Sequence, residues 1–291
     1  MTAARQATRS GDVVLDVADV TLRFGGLTGL DDVTLQQQRG EILAVIGPNG
    51  AGKTSLFNCL TGVYRPQEGR ITFRPDADGA PHSLLSVPRN PPLNLLGLHR
   101  PPTPYQVCAL GIARTFQNIR LFAALTALEN VKVGYESRQR TGPFGAILRL
   151  PRTRREERES DAKAFELLDF VGLKRRANEL AGNLAYGDQR RLEIARALAT
   201  APALLLLDEP AAGTNPVEKR QLEQLIRRVN DTGTSVLLIE HDMRLVMSIA
   251  ERVVVLNFGK VIATGSPSEV QGDSAVIEAY LGSEATHAAG A

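Results

Sequence analysis

A lysine and a threonine closing a glycine-rich loop, two adjacent carboxylates after an apolar run, and a histidine after another such run are residues whose chemistry could serve one site. The first two lie in Gly47-Pro48-Asn49-Gly50-Ala51-Gly52-Lys53-Thr54-Ser55. Ile42 to Ile46 precede this stretch as an unbroken apolar run, and Leu56, Phe57, Cys59 and Leu60 follow it at helical spacing, which reads as strand, loop and helix. Glycines at 47, 50 and 52 let the backbone turn tightly and approach a phosphate chain, while N–H groups at the helix start face the anion with the helix dipole behind them. In that geometry Lys53 reaches the β- and γ-phosphates and the Thr54 hydroxyl binds Mg²⁺. A chance match to this spacing arises in about one chain in a hundred of this length. Only six of the 34 basic residues are lysines, so Arg is the usual cation of this chain and Lys at 53 is a specific choice.

Leu204-Leu205-Leu206-Leu207-Asp208-Glu209-Pro210 ends a buried strand in two carboxylates. Successive side chains of a strand point to opposite sides, so the two acids take different jobs. Asp208 fits an acid that holds the Mg²⁺ shell, and Glu209 fits a base that polarises the water attacking a γ-phosphate. Ser235 to Ile239 runs into Glu240-His241-Asp242, which places His241 at a further strand end where it can face the same site. Asn183-Leu184-Ala185-Tyr186-Gly187-Asp188-Gln189-Arg190-Arg191-Leu192 is a polar, glycine-bearing turn that opens a helix and offers a second N-terminus to an anion. Phe24, just before Gly25-Gly26, is either a flat face for stacking a base or a half-buried strand aromatic. Taken singly, the acid pair is also a solvated turn, His241 a structural histidine, and the anion at residues 183–192 an unrelated one. The order of loop, acids and strand-end histidine favours the shared site.

The 291 residues, 43% hydrophobic and 23% charged, suffice for one large domain or two small ones of ordinary globular composition. A formal charge of +2 is too weak for a nucleic-acid footprint, and nucleic acid is not an expected partner. Cys59 and Cys108 show no C-x-x-C spacing, so neither a disulfide framework nor a zinc site is indicated and a reducing cytosol fits. No apolar run approaches the ~18 residues of a membrane span, and the N-terminus lacks the apolar core of a signal peptide. Any membrane role is expected to come through a partner.

Val13 to Phe24 reads as an edge strand running into the Gly25-Gly26 turn, with Thr34 to Gln38 as its partner and Arg70 to Phe73 as a further short strand. Pro75 to Pro104 is proline-rich and predicts a surface excursion with little regular structure. Helical spacing runs from Tyr105 through Ile112, followed by an extended Arg114 to Gln117 and a helix opened by the capping box Thr126-Ala127-Leu128-Glu129. The charge run Arg149 to Arg158 predicts a solvated loop and helix start, and Ala162 to Leu173 a helix ending at Gly172. Helices at 190–199, 217–229 and 243–250 then alternate with strands at 203–207, 235–239 and 253–256. Phe258-Gly259 makes a hairpin into Val261 to Ala263, and Ser266-Pro267-Ser268-Glu269 caps a last helix. Unbroken apolar strands belong to a parallel sheet covered on both faces, with the glycine loop at its carboxyl edge.

Gly47 to Ser55, Gln117, Leu184 to Asp188, Leu204 to Glu209, Gly213-Thr214-Asn215 and His241 together resemble, in order, the ATP-binding cassette subunit of membrane transporters. Arg114-Thr115-Phe116-Gln117, Leu184-Ala185-Tyr186-Gly187, Leu192 to Arg196, Ala211-Ala212-Gly213 and Ala279-Tyr280-Leu281-Gly282 look like its LivG type, which powers branched-chain amino-acid import. The resemblance covers nearly the whole chain. It implies an α/β phosphate-loop NTPase cassette with a mostly parallel core sheet, an antiparallel β subdomain and a helical subdomain. It also implies one ATPase domain over 1–291: the antiparallel part with the loop at 12–75, the proline-rich insertion at 76–104, the helical subdomain with Gln117 at 105–182, the signature, acids and His241 at 183–265, and a helical tail at 266–291.

In such cassettes two subunits sandwich two ATP molecules head to tail, the glycine loop of one facing the signature helix of the other. Carried over, Phe24 is the adenine stacker, Gln117 a magnesium and water contact that senses the membrane subunits, Glu209 the general base and His241 the γ-phosphate switch. Leu184, Ala185, Tyr186, Gly187 and Asp188 form the signature that meets the partner's ATP. The implied partners are two integral-membrane permease subunits, a second cassette subunit and, indirectly, an extracytoplasmic solute-binding protein, at the cytoplasmic face of a bacterial inner membrane. Urea, a short amide or an aromatic acid is an alternative solute, because the motor never touches it.

A cytosolic regulatory cassette ATPase is a competing class, but it usually carries two cassettes or a long coiled-coil insertion. A nucleotide kinase or GTPase leaves Leu184 to Asp188 unexplained, and no Asn-Lys-x-Asp motif occurs. Ala185 and Tyr186 stand where the general signature has Ser and Gly, a change the LivG type shares, and Asp188 replaces the Gln expected even there. The Pro75 to Pro104 excursion is longer than usual. Asp188 reads as a solvated first-turn acid whose charge opposes the partner's γ-phosphate, which predicts weak self-association and a different cassette as partner.

Overall fold

Alternating apolar residues form an antiparallel sheet in the computed structural model, which describes residues 12–88, 102–136 and 151–289. β1 (Val13–Phe24) turns at Gly25-Gly26 into β2 (Leu27–Gln38). After β3 (Ile42–Ile46) and α1 (Lys53–Leu60) the chain returns as β4 (Glu68–Phe73) and β5 (His82–Val87), and the sheet has the order β2-β1-β4-β5. Two expectations need correcting. β1 is an interior strand, since β4 pairs with it on the side away from β2. Part of the proline-rich stretch is a strand: Pro81 and Pro88 flank β5 without interrupting it, so its ladder with β4 loses no donor. The remainder of that excursion, 89–101, lies outside the described residues, as does the start of the charge run at 149–150.

The rest of the chain alternates helix and strand. α2 (Pro104–Leu110), β6 (Ile112–Arg114), α3 (Ala127–Glu136), α4 (Pro151–Phe170) and α5 (Tyr186–Ala199) come first. β7 (Leu204–Asp208), α6 (Pro216–Asp231), β8 (Ser235–Ile239), α7 (Met243–Ile249) and β9 (Arg252–Asn257) follow. β10 (Lys260–Gly265), α8 (Pro267–Gln271) and α9 (Ser274–Ala289) complete the order. A second sheet, β10-β9-β3-β8-β7-β6, is parallel except at its β10 edge. Phe258 (φ 44°) and Gly259 (φ 79°) both adopt positive φ in the β9–β10 hairpin, the signature of a type I′ turn.

Every residue of β3, β7 and β8 is buried. The apolar side chains of β7 and β8 alternate between two cores. Leu204, Leu206, Leu237 and Ile239 join Leu56, Phe57 and Leu60 of α1 and the antiparallel sheet. Leu205, Leu207, Val236 and Leu238 join Leu192 and Ile194 of α5 and Leu222, Leu225 and Ile226 of α6. Burial on both faces explains why these strands read as continuous apolar runs.

Helix ends follow local chemistry. Thr126 with Glu129 and Ser266 with Glu269 form the expected capping boxes, and Asn215 with Glu218 and Thr103 with Gln106 form two more. α2 stops at Leu110, before the expected Ile112, because Gly111 turns into the left-handed region (φ 108°) and Ile112 opens β6. α5 begins at Tyr186, so the polar turn expected to precede a helix at 190 is itself the first helical turn. Cys59 and Cys108 are free thiols, and burial pushes Cys59 up to about 12, out of the reactive range. Among the described residues no helix is long and apolar enough to cross a membrane.

Candidate nucleotide site

The parallel register puts the chemistry-bearing loops at one level. Asp208 lies beside Ile239, and Ile239 beside Val45, so the chain emerges from β7, β8 and β3 together at Glu209, Glu240 and Gly47. β6, next to β7, delivers Gln117 to the same edge. This is where an open α/β sheet binds ligands.

The loop after β3 can only be built with glycine at its ends. A Cβ on Gly47 (φ 148°) would stand 2.0 Å from the Leu256 carbonyl oxygen of β9, and one on Gly52 (φ 102°) would stand 2.6 Å from the Gly29 carbonyl oxygen. Lys53 is buried, and its Nζ donates to the carbonyls of Gly47 (2.7 Å) and Pro48 (2.9 Å). Burial lowers the ammonium's pKa, while the charges of Glu209 and then Asp208 pull it back up, so the lysine shares a field with both acids. Thr54 is exposed at the start of α1. α1 has no side-chain cap, and neither has α5, whereas α6, α7 and α8 are capped by Asn215, Asp242 and Ser266. The helix starts left open are those expected to meet an anion.

The two carboxylates differ in environment as their alternation requires. Asp208 is buried, and its Oδ2 accepts from Arg114 at 2.7 Å. Arg114 also donates to Asn58 of α1 at 2.7 Å and lies over the Phe57 and Phe116 rings. Sequence reasoning missed this partner, which ties β6 and α1 to the acid and leaves Asp208 Oδ1 for other ligands. Glu209 turns into the left-handed region (φ 45°), a conformation that costs a non-glycine residue about 1–3 kcal/mol and concentrates at functional sites. Its Oε2 accepts from Gln117 Nε2 at 2.9 Å and lies 3.6 Å from His241 Nδ1. Gln117, Glu209 and His241, separated in sequence, are thus brought together.

Glu240 was also missed. Fully buried, it accepts from the backbone N–H groups of Ala211 (2.8 Å), His241 (3.1 Å) and Asp242 (3.3 Å) and so joins the loop after Glu209 to the one carrying His241. Burial raises its pKa, and those N–H groups and the His241 charge oppose the rise.

Residues 184–188 divide. Leu184 is a core residue, whereas Ala185 and Tyr186 are exposed at the open start of α5. A Cβ on Gly187 would meet Glu218 Oε1 at 2.7 Å. Asp188 corrects an expectation. It is buried, not solvated, and its carboxylate pairs with Arg191 and, at 3.0 Å, with Arg176, so its charge is balanced within the chain. Among the described residues, the contacts of this turn run to these groups rather than to the loop at 47–55.

Phe24 stands 44% exposed, edge-on to Tyr64 with ring centroids 5.1 Å apart. Its ring is 2.9 Å from where a Cβ on Gly29 would be, and the Gly29 carbonyl abuts Gly52. One aromatic face therefore stands next to the loop. The buried hydroxyl of Tyr280 in α9 interacts with the Gly47 backbone, which lowers a pKa that burial raises. Among the described residues no group of three or more His, Cys, Asp or Glu side chains could hold a metal alone. The hydroxyl of Thr54, the carboxylate of Asp208 and the amide oxygen of Gln117 are hard oxygen donors, a set that suits Mg²⁺ sharing phosphate oxygens and water.

Comparison with known proteins agrees. Residues 30–212 match the family described as ABC transporter, and residues 260–286 one described as branched-chain amino acid ATP-binding cassette transporter. The high-affinity branched-chain amino acid transport ATP-binding protein LivG of Salmonella typhimurium is 44% identical over 92% of this chain and 98% of its own length. The corresponding protein BraF of Pseudomonas aeruginosa is 43% identical over 92% and 98%. The crystal structure of an ATP-binding cassette in its ADP conformation superposes with a TM-score of 0.75 at 28% identity, covering 93% of this chain and 99% of that one. A nucleotide-free cassette gives 0.74 at 28% identity over 92% and 98%. By its loop, its strand-end acids, its fold and these relatives, the chain belongs to the ABC transporter family, among the ATP-binding cassettes of LivG type.

Proposed function

We propose that the chain is the ATP-hydrolysing motor of an importer for branched-chain amino acids. It works at the cytoplasmic face of a bacterial inner membrane with two integral-membrane permease subunits and a second cassette, while an extracytoplasmic solute-binding protein delivers the solute. The observation that carries the hydrolytic role is Glu209, held by Gln117 and beside His241 at the strand edge that also bears Lys53. Branched-chain amino acids are the solutes named for the LivG and BraF relatives.

Gly47, Pro48, Asn49, Gly50, Ala51, Gly52 and Ser55 shape a backbone cradle for the phosphates, and Lys53 presents its ammonium to them. Mg²⁺ held by Thr54, Asp208 and Gln117 would neutralise charge on the phosphate oxygens. Glu209 takes the proton of the attacking water, Gln117 fixes the carboxylate's direction, and His241 meets the γ-phosphate. Phe24 stacks on adenine. Leu184 to Asp188 present an open helix start to the partner's ATP. A copy of this chain or a related one fits that role, because Asp188 carries no unbalanced charge to repel a phosphate. A cleft of about 340 Å³, lined by Val107, Phe122, Val133 and Phe116, the residue before Gln117, among others, offers an apolar seat for a permease segment.

Uptake of labelled leucine by cells lacking the chain tests the reading. Uptake is expected to fall, and the parent sequence but not Glu209→Gln should restore it. Unchanged leucine uptake with loss of urea or amide uptake would move the solute assignment to those compounds.

A further inference from the structure

Arg190, one turn into α5, is an almost wholly buried arginine that reaches a loop earlier in the chain, 73 residues away at Gln117. Its Nη1 donates to the Phe116 carbonyl at 2.7 Å, and its Nη2 donates to the Gln117 carbonyl at 2.8 Å and to the Tyr186 hydroxyl at 2.9 Å. One turn on, Glu193 is equally buried and pairs with Arg190 at 3.3 Å. Glu193 Oε1 accepts from the backbone N–H groups of Arg120 (3.2 Å) and Phe116 (3.4 Å). Donor and acceptor thus alternate along α5 to match the polarity of the loop at 116–120, which is gripped from both backbone directions.

The grip ends at two functional places. Gln117, whose carbonyl Arg190 holds, uses its side chain to hold Glu209. Tyr186, whose hydroxyl Arg190 also holds, is exposed at the open start of α5, and its ring would stand 3.4 Å from a Cβ on Gly213, in the loop that follows Glu209. A lysine could not make these contacts, since a point charge lacks the planar fork that spans two carbonyls and a hydroxyl.

We propose that Arg190 is a positioning residue that couples the signature turn to the Gln117 loop of the same chain. Engagement of Tyr186 by the partner's nucleotide then sets the direction of Glu209 at this chain's own nucleotide. The proposal rests on the ATP-hydrolysing reading given above for what Glu209 does, but the grip itself does not.

The test uses the full-length chain in two arms. Removing Arg190 outright would leave buried Glu193 with only the more distant Arg196 (4.0 Å) as a cation and endanger folding, so the variants are Tyr186→Phe, which deletes one hydroxyl, and Arg190→Lys. In the first arm, amide hydrogen exchange should become faster in residues 116–120 of both variants while β7 and β8 stay as protected as in the parent. Unchanged exchange in that loop, or a rise spread over the whole sheet, would overturn the coupling. In the second arm, Tyr186→Phe should lower kcat for MgATP roughly 3- to 10-fold with KM unchanged. Combined with Gln117→Ala it should lower kcat no further than Gln117→Ala alone. Independent, multiplying effects would mean that Tyr186 acts elsewhere and would overturn the proposal. A parent chain without turnover would sink the ATPase reading, and the exchange arm would still decide the grip.

Discussion

Gln117 donates to Glu209 at 2.9 Å although the two lie in loops that follow different strands, 92 residues apart. The contact fixes the carboxylate of a candidate base whose backbone adopts a left-handed conformation that glutamate rarely takes. Glu209→Gln keeps the shape and removes the charge. Hydrolysis should slow by about 10²–10⁴-fold, the range for losing a positioned general base, with ATP binding intact. Equal steady-state turnover in variant and parent would reduce Glu209 to a supporting acid.

Lys53 sits under the loop with its ammonium on two carbonyls. Lys53→Ala should weaken ATP binding by about 10- to 100-fold, the worth of hydrogen bonds to a charged group. Lys53→Arg should not restore it, since a planar fork does not fit where Nζ turns back onto Gly47 and Pro48. Titration with a fluorescent ATP analogue measures both, and unchanged affinity in Lys53→Ala would refute the phosphate-loop assignment.

Asp188 joins α5 to Arg176, in the 3₁₀ turn Lys174–Arg176, and to Arg191. Asp188→Gln should therefore cost about 1–2 kcal/mol in denaturant unfolding, a modest loss because Arg176 is half exposed. ATP-dependent self-association in the Glu209→Gln background should not strengthen. Sedimentation with ATP checks this, and tighter dimers after the change would restore the repulsive role first expected of this acid.

Glu240 gives a pH signature. Its folded pKa is raised by burial above the usual glutamate value, so the folded state holds this proton more firmly than the unfolded chain does. The resulting stabilisation is full below the unfolded pKa and is lost as pH rises through the folded one. Glu240→Gln keeps an acceptor for the Ala211 N–H and removes the titration. Its stability relative to the parent should improve from pH 4 to pH 7. Denaturant unfolding at both pH values measures the trend, and a parent that gains on the variant as pH rises would show that the N–H groups outweigh burial.

Patterns complete within a few residues were legible in the chain by itself. The glycine loop, the acid pair, the three all-buried strands, the caps at Thr126 and Ser266 and the Phe258-Gly259 hairpin each depend on neighbours in sequence, through period, dihedral preference or a side chain reaching its own backbone. The tertiary structure alone decided which distant groups meet. Arg114 reaches Asp208 across 94 residues, Arg190 reaches Gln117 across 73 and Glu240 reaches Ala211 across 29. Nothing near any of these names its partner, because a buried charge is compensated by whatever donor or acceptor the packing of sheet and helices delivers. The same holds for β5, whose ladder is supplied by β4, and for Asp188, where an acid at a helix start signals solvent until Arg176 arrives from another turn to cover it.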